Sequence, residues 1–306
     1  NTTASNNTAV GKSALAANTT GETNNTAIGY YALAANTTGD SNIAVGWNAL
    51  KANTTGYYNN GIGRSAITAN TTGIHNIALG SDALMTNTTG GSNVAVGNYS
   101  LTANTTASDN TAIGFGALVT NTTGFRNTAI GYHALRYNTT AYYNNAFGYD
   151  ALGAVTTGIS NIGIGKSAGY NITDGTRNIC LGLDARPSSP GGYDQIVLGE
   201  NVVGSTHTTL TFGRSGSDTT CSFGSTSWSA PSDQRLKEEI TTATAGLSFV
   251  NDLRPVTFKW KKEKDIPTDL VGYKEGSETR FKTDTTEHGF IAQEVKTVID
   301  AHSEIK

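Results

Sequence analysis

Few side chains in this sequence are laid out to do chemistry, and the clearest pair stands in the last quarter of the chain. Ser232 opens the run Ser-Asp-Gln-Arg-Leu-Lys-Glu-Glu-Ile, which puts a hydroxyl five positions before Lys237. Taken alone, Ser-Asp ahead of a charged run is an ordinary helix N-cap, with the side-chain oxygen accepting from a backbone N–H. Elsewhere the pattern argues against catalysis. Asp40, Asp82, Asp109 and Asp150 do not all share one repeat position, so no acid pair for cleaving glycans is laid out. The five His are scattered without ligand spacing, and the recurrent Asp of calcium-binding nonapeptides is absent; no metal and no cofactor is expected. Cys180 and Cys221 are far apart, each in a short apolar run, and read as buried free thiols. Asn-Thr-Thr recurs from Asn18 to Asn138 and matches the glycosylation acceptor pattern, but a ladder of stacked turns accounts for it better.

The elements around these residues are set by a repeat. An apolar residue followed by Gly recurs with Gly at 11, 29, 46, 63, 80, 97, 114, 131, 148, 165, 182 and 199, a step of 18 and then steps of 17. One unit, from Asn25, reads NTAIGYYALAANTTGDS. A fixed short period means a solenoid. The apolar runs are four to six residues long and bounded by Gly and Asn-Thr-Thr-Gly, which predicts short strands rather than helices. Each coil is expected to hold two short strands and two turns. Roughly twelve coils at about 4.8 Å give a rod on the order of 55 Å. The recurring Gly suits a positive φ or close backbone approach.

The faces of the strand imply a partner. In Asn-Thr-Ala-Ile-Gly, Ala27 points to one side and Ile28 to the other, and a strand apolar on both faces is covered on both. One face lines the coil; for the other, a threefold axis is the economical solution, so a homotrimer is expected. The residues after each Gly include Tyr30, Tyr31, Trp47, Tyr99, Tyr132 and Tyr149, which are candidate receptor contacts able to stack on the sugar rings of a glycan; the plainer reading has them covering apolar edges or packing between chains. A net charge of −3 gives no case for nucleic acid, and no apolar run is long enough to insert in a membrane. The chain begins Asn-Thr-Thr without Met and reads as a fragment or processed form.

Organisation follows from where the pattern changes. Residues 1–169 form the repeat shaft. From 170 to 231 the spacing loosens around Pro187-Ser188-Ser189-Pro190-Gly191-Gly192 and predicts an irregular β neck, with strands at Thr-Leu-Thr-Phe-Gly (209–213) and Cys-Ser-Phe-Gly (221–224). At Ser232 the charge density jumps: 19 charged side chains lie before it and 26 from it onward.

Two resemblances give these parts a context. The Ala-[Ile/Val]-Gly repeat with its following Ala-Leu resembles the head repeats of trimeric autotransporter adhesins and, equally, the shaft repeats of phage tail fibres. Residues 232–306 contain Ser-Asp-Gln-Arg-Leu-Lys-Glu-Glu-Ile, then Leu-Arg-Pro-Val-Thr-Phe-Lys-Trp-Lys (253–261), then His-Gly-Phe-Ile-Ala-Gln-Glu-Val (288–295). This trio resembles the intramolecular chaperone auto-processing domain at the C-termini of phage tail spikes and fibres. That resemblance implies a small α+β module and a single self-cleavage by a Ser-Lys dyad. It casts Ser232 as nucleophile, Lys237 as general base, and Pro231–Ser232 as the scissile bond. Asp233 and Arg235 belong to the same motif, with Arg235 placed to stabilise the oxyanion or to hold a carboxylate. A serine hydroxyl is inert at neutral pH until a base takes its proton, and a lysine whose pKa is lowered supplies one. Members of that family run on past Ala-Gln-Glu-Val into a helical tail, whereas this sequence ends at Lys306, so the module is expected to be incomplete here. The expectation as a whole is a mainly β, trimeric parallel β-solenoid shaft with a chaperone domain. It is a virion tail fibre that adheres to a host, contacts other tail proteins and performs no turnover chemistry in its shaft. The alternatives are a bacterial trimeric surface adhesin, an ice-binding solenoid with its Thr pairs exposed, or the distal part of a tail spike whose catalytic domain lies upstream.

Overall fold

The computed structural model describes residues 5–19, 23–224, 247–268, 270, 272–282 and 284–302. The chain divides into two compact units, Asn1–Ser232 and Asp233–Lys306.

The first unit is one fourteen-stranded sheet with its strands in chain order. The strands are β1 (Thr8–Val10), β2 (Thr26–Ile28), β3 (Ile43–Val45), β4 (Asn60–Ile62), β5 (Ile77–Leu79), β6 (Val94–Val96) and β7 (Thr111–Ile113). They continue as β8 (Thr128–Ile130), β9 (Asn145–Phe147), β10 (Ile162–Ile164), β11 (Ile179–Leu181), β12 (Gln195–Glu200), β13 (Thr209–Arg214) and β14 (Thr219–Ser222). β1 to β13 are parallel and in repeat register: Ala27 pairs with Ala44, Ala44 with Gly61 and Gly61 with Ala78. The same stack runs through 170–214, and β14 then reverses to lie antiparallel on β13. This is a parallel β-solenoid of about twelve turns, close to 55–60 Å long at β-strand spacing.

From β1 to β11 each coil holds one three-residue strand, not the two expected from the sequence. On the return side the chain alternates through left-handed backbone: in the third coil Gly46, Asn48 and Leu50 have φ of 137°, 58° and 51°. An extended strand is impossible there, yet the inter-coil ladder persists, with Leu50 N–H donating to Ala66 O and Ala52 N–H to Thr68 O, both at 3.0 Å. The curl aims two consecutive side chains inward. Ala49 and Leu50 are both fully buried, as are their counterparts Ala32 and Leu33, and Ala134 and Leu135. A left-handed Leu costs about 1–2 kcal/mol, whereas fully burying its side chain contributes about 1.5–3 kcal/mol. Burial wins, and the motif repeats. Gly46 is required where it stands: a Cβ there would lie 2.4 Å from Gly63 O in the next coil.

The lumen is therefore narrow. A leucine column is flanked by two alanine columns, one from the strands (Ala27, Ala44, Ala78) and one from the return side (Ala32, Ala49, Ala66). Two asparagine columns close the end at the Asn-Thr-Thr-Gly turn. In the first, the Asn42 backbone N–H donates to Asn25 Oδ1 at 2.8 Å, and Asn42 Nδ2 donates to Gly56 O at 2.9 Å. In the second, Asn53 Nδ2 donates to Asn36 Oδ1 at 2.8 Å and to the same Gly56 O at 2.9 Å. One carbonyl thus accepts from both columns, and every buried amide hydrogen on Asn53 is used, as burial demands. Where the repeat departs, volume moves between columns. Gly169 stands in a leucine place, and the space goes to Ile172 and Cys180; a Cβ on Gly169 would sit 2.6 Å from Leu152 Cδ2.

The second unit comprises α1 (Leu247–Asp252), β15 (Val256–Phe258), a 3-10 turn (Glu263–Asp265), β16 (Glu287–Gly289) and α2 (Ala292–Ala301). β15 and β16 pair antiparallel, Val256 with Gly289 and Phe258 with Glu287. No described residue of this unit is buried.

Candidate functional site

The C-terminal unit brings together two of the three motifs read in the sequence. Val256–Phe258, from the 253–261 motif, pairs with Glu287–Gly289, at the start of the 288–295 motif. Arg254 and Glu294, one from each, form a two-pronged ion pair, with Arg254 Nε 3.0 Å from Glu294 Oε2 and a second bond from Nη2 to Oε1. That pairing lowers the Glu294 pKa and raises that of Arg254. Planar guanidinium against carboxylate fixes direction as well as charge. The sequence reading missed this pair, although both residues stand inside the motifs it quoted. Lys262 and Lys264 converge on Glu278 and hold its carboxyl down at about 2. His302 meets Asp252 at 2.9 Å.

Beside the hairpin lies an open apolar groove of about 540 Å³, lined by Phe258, Trp260, Ile266, Leu270, Phe281 and Phe290 among others. Phe290 and Leu270 are 51% and 56% exposed. Pro231, Ser232, Asp233, Arg235 and Lys237 lie outside the described residues, so the proposed dyad has no geometry to report.

On the shaft, the aromatic candidates fall into two groups along one edge of the strand face. Tyr30, Tyr31 and Trp47 belong to the second and third coils. Tyr30 and Tyr31 pack edge to face at 4.3 Å, and the Tyr31 hydroxyl raises the Tyr30 pKa. Lys51 sits 5.2 Å over the Tyr31 ring. Further along, Phe115, Tyr132 and Tyr149 stack in a ladder at 5.4 and 5.2 Å, with Tyr99 against Phe115 edge-on. Phe115 was not among the sequence candidates, yet it occupies the same repeat position as Tyr132. Aligning the coils as columns finds it. In the ladder ring faces cover one another, which leaves mainly edges to the outside. A second aromatic set, Phe125, Tyr142, Tyr143 and Arg126, borders the other side of the strand.

The remaining candidates have structural roles. Arg64 pairs with Asp82, Arg126 with Asp109 and Arg177 with Asp194, each pair spanning neighbouring coils. Asp82 and Asp150 occupy equivalent positions four coils apart, each beside an arginine. The Asn of every complete Asn-Thr-Thr triplet from Asn36 to Asn138 is fully buried, with its amide donating inward, so these acceptor sites are closed in the folded chain. The first Thr of each triplet is half-buried with its hydroxyl tied to the next coil, as Thr54 Oγ1 donates to Thr71 O at 3.0 Å. That halves the hydroxyl array an ice-binding surface would need. Burial pushes the Cys180 thiol up to about 12, which removes it as a nucleophile. Among the described residues no three of His, Cys, Asp or Glu gather as for a metal.

Comparison with known proteins adds one finding. Residues 232–303 match the family model described as chaperone of endosialidase. No curated protein and no solved structure matches the chain. A β-solenoid of about twelve turns followed by a segment that matches this chaperone fits a phage tail fibre or tail spike with a C-terminal chaperone.

Proposed function

We propose that three copies of this chain assemble side by side into a tail fibre that adheres to a host surface, and that residues 232–306 set the register and then leave by self-cleavage. The match of 232–303 to the chaperone family carries this reading. Two features of the molecule support it. The outward side of the strands is an unbroken apolar stripe from Val10 through Ile28, Leu79 and Phe147 to Phe212, with exposures of 58, 40, 48, 37 and 42% at those rungs. Such a stripe calls for a partner along its length. The C-terminal unit, lacking any buried described residue, also needs association to form a core.

A module of this kind answers a physical problem. Near-identical coils look almost correct after any 17-residue slip, and weakly specified register invites misassembly. A separate trimeriser aligns the chains, and its removal traps the product kinetically. The division proposed is shaft 1–169, neck 170–231 and chaperone 232–306. The step proposed is attack by Ser232 Oγ on the Pro231 carbonyl carbon. Lys237 takes the hydroxyl proton and the Ser232 amine leaves, protonated. Water then hydrolyses the resulting ester. Arg235 stabilises the oxyanion or orders Asp233. The mature shaft reaches other tail proteins at one end and a host glycan or protein along its sides, with Tyr30, Tyr31, Trp47, Tyr99, Tyr132 and Tyr149 as the candidate contacts. The test is intact mass of the expressed chain beside Ser232→Ala. A wild-type product ending at Pro231 and a whole variant are expected. A wild type that stays whole sinks the dyad.

A further inference from the structure

The strand face carries two outward columns. The second residue of the pair is apolar on every strand from Val10 to Phe212, while the first is mixed, and neither column holds a charged side chain. Asn60 interrupts the mixed column. Parallel pairing sets it directly between Ile43 and Ile77, which are 39% and 41% exposed. Asn145 stands likewise between Thr128 and Ile162. Both are half-buried, and unlike the lumen asparagines neither side-chain amide has a hydrogen-bond partner among the described residues. An unpartnered amide beside exposed isoleucines is a poor fit to a purely apolar partner.

We propose that Asn60, with Asn145 as a second rung, fixes the axial register of the shaft by meeting its own copies across the trimer interface. The inference rests on the trimeric reading above and specifies which residues police it. The occupant of this face is a second copy of the chain, for three reasons. A face that repeats at strand spacing over thirteen strands is matched along its whole length by another stack of the same rise. An uncharged face meets its copy without repulsion. The exposed apolar columns offer an area on the order of the ~800 Å² per partner that a stable interface buries.

In a parallel assembly without stagger, every residue lies level with its own copies. Asn60 then finds two other amides, each able to donate and accept. A slip of one coil sets it against Ile43 or Ile77 instead. Asn60 and Asn145 are 85 residues apart, five 17-residue coils, so only a five-coil slip restores an asparagine level, and that slip leaves five coils of each stripe bare. A single polar residue in an apolar seam specifies register in coiled coils for the same reason. The Leu and Ala columns cannot do this, because they face the lumen of their own chain.

The test uses the full chain and begins with its mass by sedimentation. Asn60→His and, separately, Asn145→His are then titrated with zinc, beside Thr72→His in the exposed Asn-Thr-Thr-Gly turn. Three imidazoles brought level around an axis bind about one zinc ion per three chains. The expected result is a trimer in which both strand-face variants bind zinc stoichiometrically and melt higher with it, while Thr72→His does neither. Trimers whose strand-face variants bind no more zinc than Thr72→His overturn the register role and leave the trimer standing. A wild-type chain that sediments as a monomer overturns the trimeric reading, and this inference with it.

Discussion

In the shaft, the leucine column from Leu33 to Leu152 is sealed at 0% exposure within a single chain. In the C-terminal unit no described residue is buried, and Phe290 and Val250 stand 51% and 59% exposed. The difference comes from how each sequence spends its apolar residues. The shaft repeats one small solution, in which each coil satisfies the backbone and asparagine amides of the next, so folding can propagate along the rod. The C-terminal unit spreads Phe258, Trp260, Phe281 and Phe290 around an open groove and holds its hairpin with exposed ion pairs. On the function proposed above, a rod that outlasts assembly and a helper that lets go call for these opposite constructions.

The contrast can be broken most severely at the glycine column. Gly114 has φ +131°, and a Cβ would lie 2.4 Å from Gly131 O. Gly114→Ala is expected to cost more than about 4 kcal/mol, the range reserved for backbone clashes in a core. Loss of the shaft's cooperative urea transition would show it, while the pairing of β15 with β16 persists.

The asparagine ladder offers a graded version. Asn87 Nδ2 donates to Asn70 Oδ1 and Gly90 O, and its own oxygen accepts from Asn104. Asn87→Leu strands two buried polar groups, at about 1–3 kcal/mol each. Asn138 ends the ladder, because Val155 follows it and leaves its Oδ1 without a partner. Asn138→Leu merely moves that bare oxygen back to Asn121, so its cost is expected below about 1 kcal/mol. Equal losses for the two variants in denaturant titrations would mean the ladder is not what holds the coils.

The smallest effect is in the C-terminal unit and concerns acid. Glu278 is held at about 2 by Lys262 and Lys264, below its unfolded value of about 4.3. The stabilisation is complete above the unfolded value and drains away as pH falls from there toward 2. Glu294 is lowered in the same direction by Arg254. The C-terminal unit should therefore lose its melting temperature between pH 4.5 and about 2, and Glu278→Gln should flatten part of that slope. Because these carboxylates are exposed, salt will weaken the dependence.

Much of this was legible in the residues. The 17-residue period, the opposite faces of Ala27 and Ile28, the positive φ of the recurring Gly and the strands near 209 and 221 all follow from local pattern, while which face turns inward is seen only in the burial. The return side did not, because nothing in Ala-Leu announces a left-handed leucine; that conformation exists only because the next coil supplies its hydrogen bonds and a lumen to fill. The asparagine ladder is half visible: the repeated Asn-Thr-Thr announces stacked turns, but two columns sharing one carbonyl depends on Gly56 O lying between Asn42 and Asn53. Glu294 with Arg254 was hidden because the two are forty residues apart and meet only through the hairpin.

The most direct test of the account is the native mass of the purified shaft after processing, compared with the Ser232→Ala chain. Three shaft chains ending at Pro231 are expected for the first and three whole chains for the second, both surviving dilution. A shaft that runs as a single chain in both would contradict it, because the apolar stripe from Val10 to Phe212 would then have no partner of its own kind.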